Sequence, residues 1–186
     1  MRIALLIGSL REGSFNAQVA HAMTLLAPDD VAFVQSRIDD LPLYNQDRDK
    51  EQAPPVQRLK EEIRRADGVM VVTPEYNRSI PGVLKNALDH ASRPFGLGVW
   101  AGKPAGIMGV SIGRLGTATA QQHLRNVLAY LDMPTLGQPE VFLQWTEGLI
   151  DEDGNISEKS RAFLQDWVDK FLAWVRLHAK SGDAAS

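Results

Sequence analysis

The segment that most constrains the fold is the opening of the chain, residues 1–16, where an apolar run changes within a few residues into a helical pattern. Residues 3–7 are all apolar, which is typical of a strand covered on both faces in a parallel sheet. Gly8 ends this run, and Ser14 is a suitable N-cap for the helix that follows. The apolar face of that helix consists of Phe15, Val19, Met23 and Leu26. A strand that leads through a polar loop to a helix N-terminus predicts an anion-binding site.

Two nucleotide-binding fingerprints can be tested on this loop. The spacing of Gly8 and Gly13 fits the phosphate loop of nucleoside triphosphatases, but Ser14 stands at the position of the required lysine. The dinucleotide fingerprint fails at Leu10, where a glycine would let the backbone approach a pyrophosphate. The remaining donors suit one phosphate monoester, and they are Ser9, Arg11, Ser14 and Asn16. An ordinary strand–turn–helix with a polar, capped loop is the alternative interpretation.

Strand and helix patterns alternate through the rest of the chain. Four more strand-like runs follow at residues 31–34, 69–72, 104–110 and 141–143, and each is followed by a helical pattern. Five such units in 186 residues predict an α/β fold with a doubly wound, five-stranded parallel sheet. The expected strand order is 2-1-3-4-5, with helices on both faces. We expect residues 1–186 to form a single domain, with a frayed polar tail at residues 180–186.

Composition and charge exclude several classes of function. The formal net charge is −3, which argues against binding to nucleic acid or to an anionic membrane surface. No cysteine is present, so disulfides, thiolate catalysis and cysteine-ligated metals are excluded. The four histidines lie on different helical segments without metal-ligand spacing, so no metal site is expected. No signal peptide or membrane-spanning run is visible, and we therefore expect a cytoplasmic protein.

The predicted strand order indicates where a ligand binds, because open α/β sheets bind ligands beyond the carboxyl ends of their strands. For this order, three loops meet there: residues 8–16, 74–79 and 111–116. The second loop presents a tyrosine and an asparagine close to prolines, and the third contains Gly113, which lets the main chain approach a planar ligand. A phosphate at the first loop and a flat ring against the other two describe a mononucleotide. Flavin mononucleotide (FMN) fits best.

Three segments carry a resemblance to a known family: residues 8–16 (GSLREGSFN), 73–77 (TPEYN) and 81–89 (PGVLKNALD). Together they are similar to the NAD(P)H-dependent FMN reductases, a flavodoxin-like group that includes quinone, chromate and azo-dye reductases. The resemblance implies a flavodoxin-like domain that assembles as a homodimer or a homotetramer. It also implies that the chain is an oxidoreductase with FMN as a tightly bound, non-covalent cofactor and with NADPH or NADH as its electron donor.

The same resemblance implies a role for each loop. The FMN phosphate would be bound by Ser9, Arg11, Ser14 and Asn16, with Phe15 beside it. The ribityl chain and the isoalloxazine ring would contact Pro74, Glu75, Tyr76 and Asn77, and the far side of the ring would contact Ser111 and Gly113. Apart from the resemblance, Arg78, Arg93 and Arg114 are candidates for binding the phosphates of the nicotinamide donor. No side chain is expected to act as a catalytic group, because the chemistry takes place at N5 of FMN.

We therefore expect two electrons to pass from NADH or NADPH through FMN to a quinone, a flavin, an azo compound or a chromate-like acceptor. Because donor and acceptor would use one pocket in turn, the expected kinetics are ping-pong. Two other functions stay open at this point. A flavodoxin-type electron carrier would have the same pocket without a nicotinamide site, and an NADP-binding oxidoreductase without flavin would use Arg37 to bind a 2′-phosphate.

Overall fold

The computed structural model of the chain describes residues 1–182, in which strands and helices alternate as the sequence predicts. The strands are β1 (Arg2–Ile7), β2 (Ala32–Gln35), β3 (Gly68–Val72), β4 (Ala105–Ser111) and β5 (Phe142–Gln144). The helices are α1 (Phe15–Thr24), α2 (Pro54–Arg64), α3 (Gly82–Ala91), α4 (Ala118–Tyr130) and α5 (Glu158–Gly182). Within the described residues, none of these helices has the length and apolar character needed to cross a membrane.

The five strands form one sheet in the order β2-β1-β3-β4-β5, and every neighbouring pair is parallel. The register of the central pair places Ile3 opposite Gly68 and Ile7 opposite Val72. This is the doubly wound order of the flavodoxin-like fold, so the predicted fold class is confirmed. Because the order reverses between β1 and β3, the connections that follow these strands leave a crevice at the carboxyl edge of the sheet.

Helices cover both faces of the sheet. Alternate residues of β1 point to opposite layers, so that Ile3 packs in the layer of α1 and α5, and Ala4 packs in the layer of α2, α3 and α4. The first layer contains the buried rings of Trp167 and Phe171 from α5. Because the central strands are covered on both sides, residues 3–7 are apolar throughout instead of alternating with polar residues.

The last helix is longer than the sequence predicts. It continues through Gly182, whereas the sequence predicts a frayed tail from residue 180. A stripe of buried residues that ends at Val175 anchors α5 along the sheet. Once a helix is anchored, each further residue costs little to add. Residues 183–186, the rest of the predicted tail, lie outside the described residues.

The end of β3, the middle of β4 and the start of α4 approach each other closely at Gly109. A Cβ atom on Gly109 would overlap with the carbonyl oxygen of Thr73 and with Oγ1 of Thr117. Neither neighbour can move aside easily, because one is backbone and the other is the fully buried N-cap of α4. This approach therefore requires glycine, and it sets the distance between the connections that follow β3 and β4.

We expect Gly109→Ala to lower the free energy of unfolding by about 3 kcal/mol, because the added methyl group overlaps with fixed atoms. Gly82→Ala is the matched control, since a Cβ atom there meets nothing within 4 Å and the residue opens α3. That control should be neutral or slightly stabilising, because alanine is the better helix former. Urea denaturation measures both changes, and equal midpoints for the two variants would contradict the close approach.

Candidate functional site

The connections after β1, β3 and β4 meet at the carboxyl edge of the sheet. Gly8, which opens the β1–α1 loop, donates its backbone N–H to the carbonyl oxygen of Val72 at the end of β3, at 2.9 Å. Thr73, which opens the β3–α3 loop, donates to the carbonyl oxygen of Met108 in β4, at 3.0 Å. Backbone hydrogen bonds thus continue beyond the strand ends and hold the loops at fixed separations.

The β1–α1 loop presents backbone donors that have no acceptor among the residues that the structure describes. Ser14 caps α1 as predicted, and its hydroxyl oxygen accepts a hydrogen bond from the N–H of Ala17 at 3.2 Å. The N–H of Ser14 donates to the carbonyl oxygen of Arg11 at 3.1 Å. Among residues 1–182, the N–H groups of residues 9–13 and 15–16 find no hydrogen-bond partner. Unpaired N–H groups around a helix N-terminus form a site for an anion.

Arg11 is a cation of this loop without a carboxylate partner in the part of the chain that the structure describes. Its guanidinium lies 4.8 Å from the centroid of the Phe15 ring and donates to the carbonyl oxygen of Gly13 at 3.0 Å. By contrast, Arg37, after β2, donates two hydrogen bonds of 3.1 and 3.0 Å to Asp39. The arginine that a flavin-free enzyme would use for a 2′-phosphate is therefore already neutralised, whereas Arg11 is available.

A second arginine beside β2 is neutralised in the same way. Arg58 in α2 donates hydrogen bonds of 2.6 and 2.9 Å to Asp40. The hydrogen bond from this guanidinium lowers the pKa of the Asp40 carboxyl to about 2, so the pair stays charged at neutral pH. The two arginines near β2 are thus paired with carboxylates, whereas Arg11, next to the α1 N-terminus, has no carboxylate partner among the described residues.

The side chain of Asn16 forms hydrogen bonds to the backbone of β4. Its amide donates to the carbonyl oxygen of Val110 and accepts from the N–H of the same residue, both at 3.0 Å. The residue is buried, and these two bonds tie α1 to β4. The amide is therefore not available as a phosphate donor, and only the backbone N–H of Asn16 remains unpaired. The predicted contact of Asn16 with the phosphate stays a prediction, with its backbone N–H as the donor.

The β3–α3 loop forms a two-residue hairpin turn. Tyr76 and Ser79 exchange backbone hydrogen bonds of 2.9 and 3.0 Å. The two residues between them, Asn77 and Arg78, have φ values of 51° and 66°, which is the left-handed conformation that such turns require. Arginine seldom adopts this conformation, so the sequence does not predict the turn. The turn leaves the Tyr76 side chain half exposed next to Pro74, which is buried.

Two side-chain contacts fasten this hairpin to α4. The carboxylate of Glu75 accepts from the N–H of Ala120 at 3.0 Å, in the first turn of the helix, where unpaired N–H groups stabilise a negative charge. The hydroxyl of Ser79 lies 2.6 Å from Nδ1 of His123, one turn further along. This contact places Glu75 against α4, and its contact with the ribityl chain and the ring stays a prediction. Sequence reasoning misses His123, because its partner lies 44 residues away.

The β4–α4 loop supplies exposed apolar side chains to the same edge. The hydroxyl of Ser111 donates to the carbonyl oxygen of Gly113 at 3.1 Å, which tightens the loop. The side chains of Ile112 and Leu115 are 74% and 52% exposed. Arg114 lies between them, is exposed, and forms no ion pair with any residue that the structure describes. Apolar side chains with a few polar groups are typical of sites for flat organic ligands.

The structure places Arg93 away from this edge, and its contact with the nicotinamide donor stays a prediction. Arg93 follows α3, whose ten residues extend over about 15 Å toward the amino edge of the sheet. There it lines a separate cavity of about 380 Å³ together with Trp100 and Tyr130. Arg78 and Arg93 therefore lie at opposite ends of α3.

A cleft of about 530 Å³ opens beside the β1–α1 loop, lined by Ser9, Arg11 and residues 35–39. Ser36 lines this cleft, and its buried hydroxyl has no hydrogen-bond partner among residues 1–182. Small-molecule sites commonly have volumes of about 300–1,000 Å³. The unpaired donors of the β1–α1 loop and the apolar side chains of the β4–α4 loop lie along the same edge of the sheet, and together they suit a ligand with an anionic end and a flat apolar end. FMN has both, so the residues present fit this cofactor.

Comparison with known proteins decides the family. Residues 1–147 match the model of the family described as NADPH-dependent FMN reductase. The chain belongs to this family. It is 54% identical over 177 residues to a 2-hydroxy-1,4-benzoquinone reductase of a Burkholderia species, covering 95% of this chain and 97% of that protein. It is 46% identical over 177 residues to a quinone reductase of Pseudomonas putida, covering 95% of each protein.

A solved structure agrees with this assignment. FerB, a flavoenzyme NAD(P)H:(acceptor) oxidoreductase from Paracoccus denitrificans, superposes with a TM-score of 0.92 at 40% identity, covering 95% of this chain and 98% of that one. The resemblance seen in the three sequence segments is thus confirmed. As a member of this family, the chain is an oxidoreductase with FMN as its cofactor and NAD(P)H as its electron donor. This decides against both the non-enzymatic carrier and the flavin-free enzyme.

We expect Asn16→Ala to lower the free energy of unfolding by about 2–4 kcal/mol, because two buried backbone groups of Val110 lose their partner. Asn126→Ala is the control, since Asn126 is an exposed asparagine of α4 and should change stability by less than about 0.5 kcal/mol. Urea denaturation measures both variants. A fully stable Asn16→Ala protein with weakened FMN binding would instead support the role that the sequence predicts.

The hydrogen bond between Ser79 and His123 should contribute to the free energy of unfolding, and a double-mutant cycle measures this contribution as a coupling energy. In a double-mutant cycle of Ser79→Ala and His123→Ala, we expect a coupling of about 1 kcal/mol in the free energy of unfolding. His123→Asn should keep most of the stability, because its amide occupies the place of Nδ1, whereas His123→Gln should not. Additive effects of the two alanine substitutions would show that the hairpin is held without this hydrogen bond.

Proposed function

We propose that the chain is an NAD(P)H:quinone oxidoreductase that reduces a benzoquinone by two electrons to its hydroquinone. The observation that carries this proposal is the 54% identity to a 2-hydroxy-1,4-benzoquinone reductase over nearly the full length of both proteins. The overall reaction consumes one NAD(P)H, one proton and one quinone. Other flat or oxidised acceptors, namely free flavin, azo compounds and chromate, are secondary substrates in this proposal.

The residues of the β1–α1 loop would hold the phosphate of FMN. Ser9, Arg11 and Ser14 stand beside the unpaired N–H groups of this loop, and Phe15 opens the helix next to them. When bound, FMN supplies the two-electron chemistry between the nicotinamide and the quinone. No nucleophile or metal ion from the chain is needed. The contribution of the protein is to place the donor and the acceptor against one flat ring and to limit their orientations.

The other two loops would frame the ring. Pro74, Tyr76 and Asn77 provide a stiff wall on one side, supported by Glu75 from behind, and the backbone between Ser111 and Gly113 provides the other. Arg78 and Arg114 are exposed at the rim, where they would attract the phosphates of NADH or NADPH. The guanidinium of Arg78 lies 3.8 Å from the Glu75 carboxylate, so this pair attracts a phosphate less strongly than Arg114 does.

Three further statements belong to this proposal. Donor and acceptor bind in succession to the same pocket, so the kinetics are ping-pong. The enzyme works as a homodimer or a homotetramer, which is supported by exposed apolar side chains such as Phe95 and Tyr130, away from the pocket. It works in the cytoplasm, where reduced nicotinamide nucleotides are regenerated.

The function is tested on the purified full-length chain. We expect yellow protein that bleaches on addition of NADPH or NADH without a second enzyme, and that regains its colour when 2-hydroxy-1,4-benzoquinone is added. Initial rates at several fixed quinone concentrations should give parallel double-reciprocal lines, and size-exclusion chromatography with light scattering should give the assembly state. Protein that binds FMN but stays yellow with both nucleotides would overturn the proposal, and intersecting lines would overturn the ping-pong scheme alone.

A further inference from the structure

Trp145, the residue directly after β5, reaches the β1–α1 loop. Its ring stacks on the ring of Phe15, with the centroids 4.1 Å apart and an angle of 17° between the planes. Phe15 also lies under the guanidinium of Arg11, at 4.8 Å from its centroid. Three planar groups from two distant parts of the chain thus form one stack, which we call the Arg11–Phe15–Trp145 column.

Two of the three members of this column are anchored to rigid elements. The backbone N–H of Trp145 donates to the carbonyl oxygen of Ser111 at 2.7 Å, which fixes it to the end of β4. Phe15 is the first residue of α1, between the N-cap Ser14 and the buried Asn16. The third member, Arg11, is exposed and is the part that can move. The column therefore gives a flexible cation a fixed platform.

The position of Arg11 matters because most of its N–H groups are still free to donate hydrogen bonds. Its guanidinium carries five N–H donors, and one hydrogen bond, to Gly13, is made within the described residues. A guanidinium over an aromatic face is held there by the ring quadrupole while its edge stays free. Holding a long side chain in its binding position before the ligand arrives lowers the entropic cost of binding. Stacking on Phe15 thus prepares Arg11 to meet an anion at the α1 N-terminus.

We propose that Trp145 is a positioning residue for the FMN phosphate, which it affects through Phe15 and Arg11 without touching the phosphate. The inference rests on the proposed FMN site at the β1–α1 loop. It assigns a positioning role to the residue directly after β5, a strand that none of the motifs in the sequence includes. Loss of the indole would leave one face of Phe15 uncovered, so that the ring and the guanidinium over it are no longer held in one position.

The test uses two ligands that differ only in the phosphate. The full-length chain is stripped of flavin and titrated with FMN and with riboflavin, following the quenching of flavin fluorescence. For Trp145→Leu we expect the Kd of FMN to rise by about three- to ten-fold, the range of a partly exposed cation–π contact. The Kd of riboflavin, which offers Arg11 no anion, should change by less than about two-fold. Trp145→Phe keeps a stacking ring and should restore FMN binding.

Two controls separate positioning from a general loss of structure. In an Arg11→Ala background, Trp145→Leu should have no further effect on the Kd of FMN, because the indole then has no cation to position. Trp174→Leu is the matched control, since this indole belongs to α5 and donates to the carbonyl oxygen of Pro134 at 2.9 Å. It should lower the midpoint of thermal unfolding and leave the ratio of the two Kd values unchanged.

The outcomes distinguish this inference from the function on which it rests. If Trp145→Leu weakens FMN and riboflavin equally, or weakens FMN just as much without Arg11, then Trp145 supports the ring site or the fold and the inference is overturned. If wild-type protein binds FMN no better than riboflavin, the phosphate site itself fails, and the proposed cofactor site fails with it. Wild-type protein that prefers FMN, together with a Trp145→Leu variant that has lost part of this preference, supports both.

Discussion

Two hydrogen bonds between the side-chain amide of Asn16 and the backbone of Val110 fix the N-terminus of α1 over the sheet. They join residues that lie 94 positions apart, and they are buried, where an unmade hydrogen bond is costly. The position of the helix end follows from them, and so does the place at which its unpaired N–H groups converge. Fixing Asn16 also fixes its neighbours Ser14, the N-cap, and Phe15, the ring on which Arg11 lies.

The other walls of the site depend on α4. Gly109 lets β3, β4 and the start of this helix come together, and Glu75 occupies the N-terminus of the helix with its carboxylate. The hairpin at Asn77 and Arg78 has two left-handed residues that are not glycine, a conformation that persists only where the surroundings hold it. A stiff wall can orient a flat cofactor and a flat substrate without any catalytic side chain, which agrees with chemistry that belongs to the cofactor.

At the carboxyl edge of the sheet, some arginines are paired with aspartates and others are not. Arg37 and Arg58 are neutralised by Asp39 and Asp40, whereas Arg11 contacts an aromatic ring instead of a carboxylate. A guanidinium on a ring keeps its full charge and most of its donors, so it remains ready for an anion. The net charge of −3 therefore says little about this site, because the charge that matters for an anion is that of Arg11, which has no carboxylate partner among residues 1–182.

The sequence by itself determined the alternation of strands and helices, the N-cap at Ser14 and the strand order, because these follow from local hydrophobic periodicity, capping and the handedness of crossovers. It also predicted at which edge of the sheet a ligand binds, because parallel strands bring their carboxyl ends to one edge. Only the tertiary structure decided that the side chains of Asn16 and Glu75 bind backbone, that Arg93 lies at the far end of α3, and that Trp145 joins the β1–α1 loop. A polar side chain can form hydrogen bonds with several chemically equivalent partners. Which of them it meets depends on the packing of elements that are dozens of residues apart in the sequence. The sequence contains no local signal for that selection.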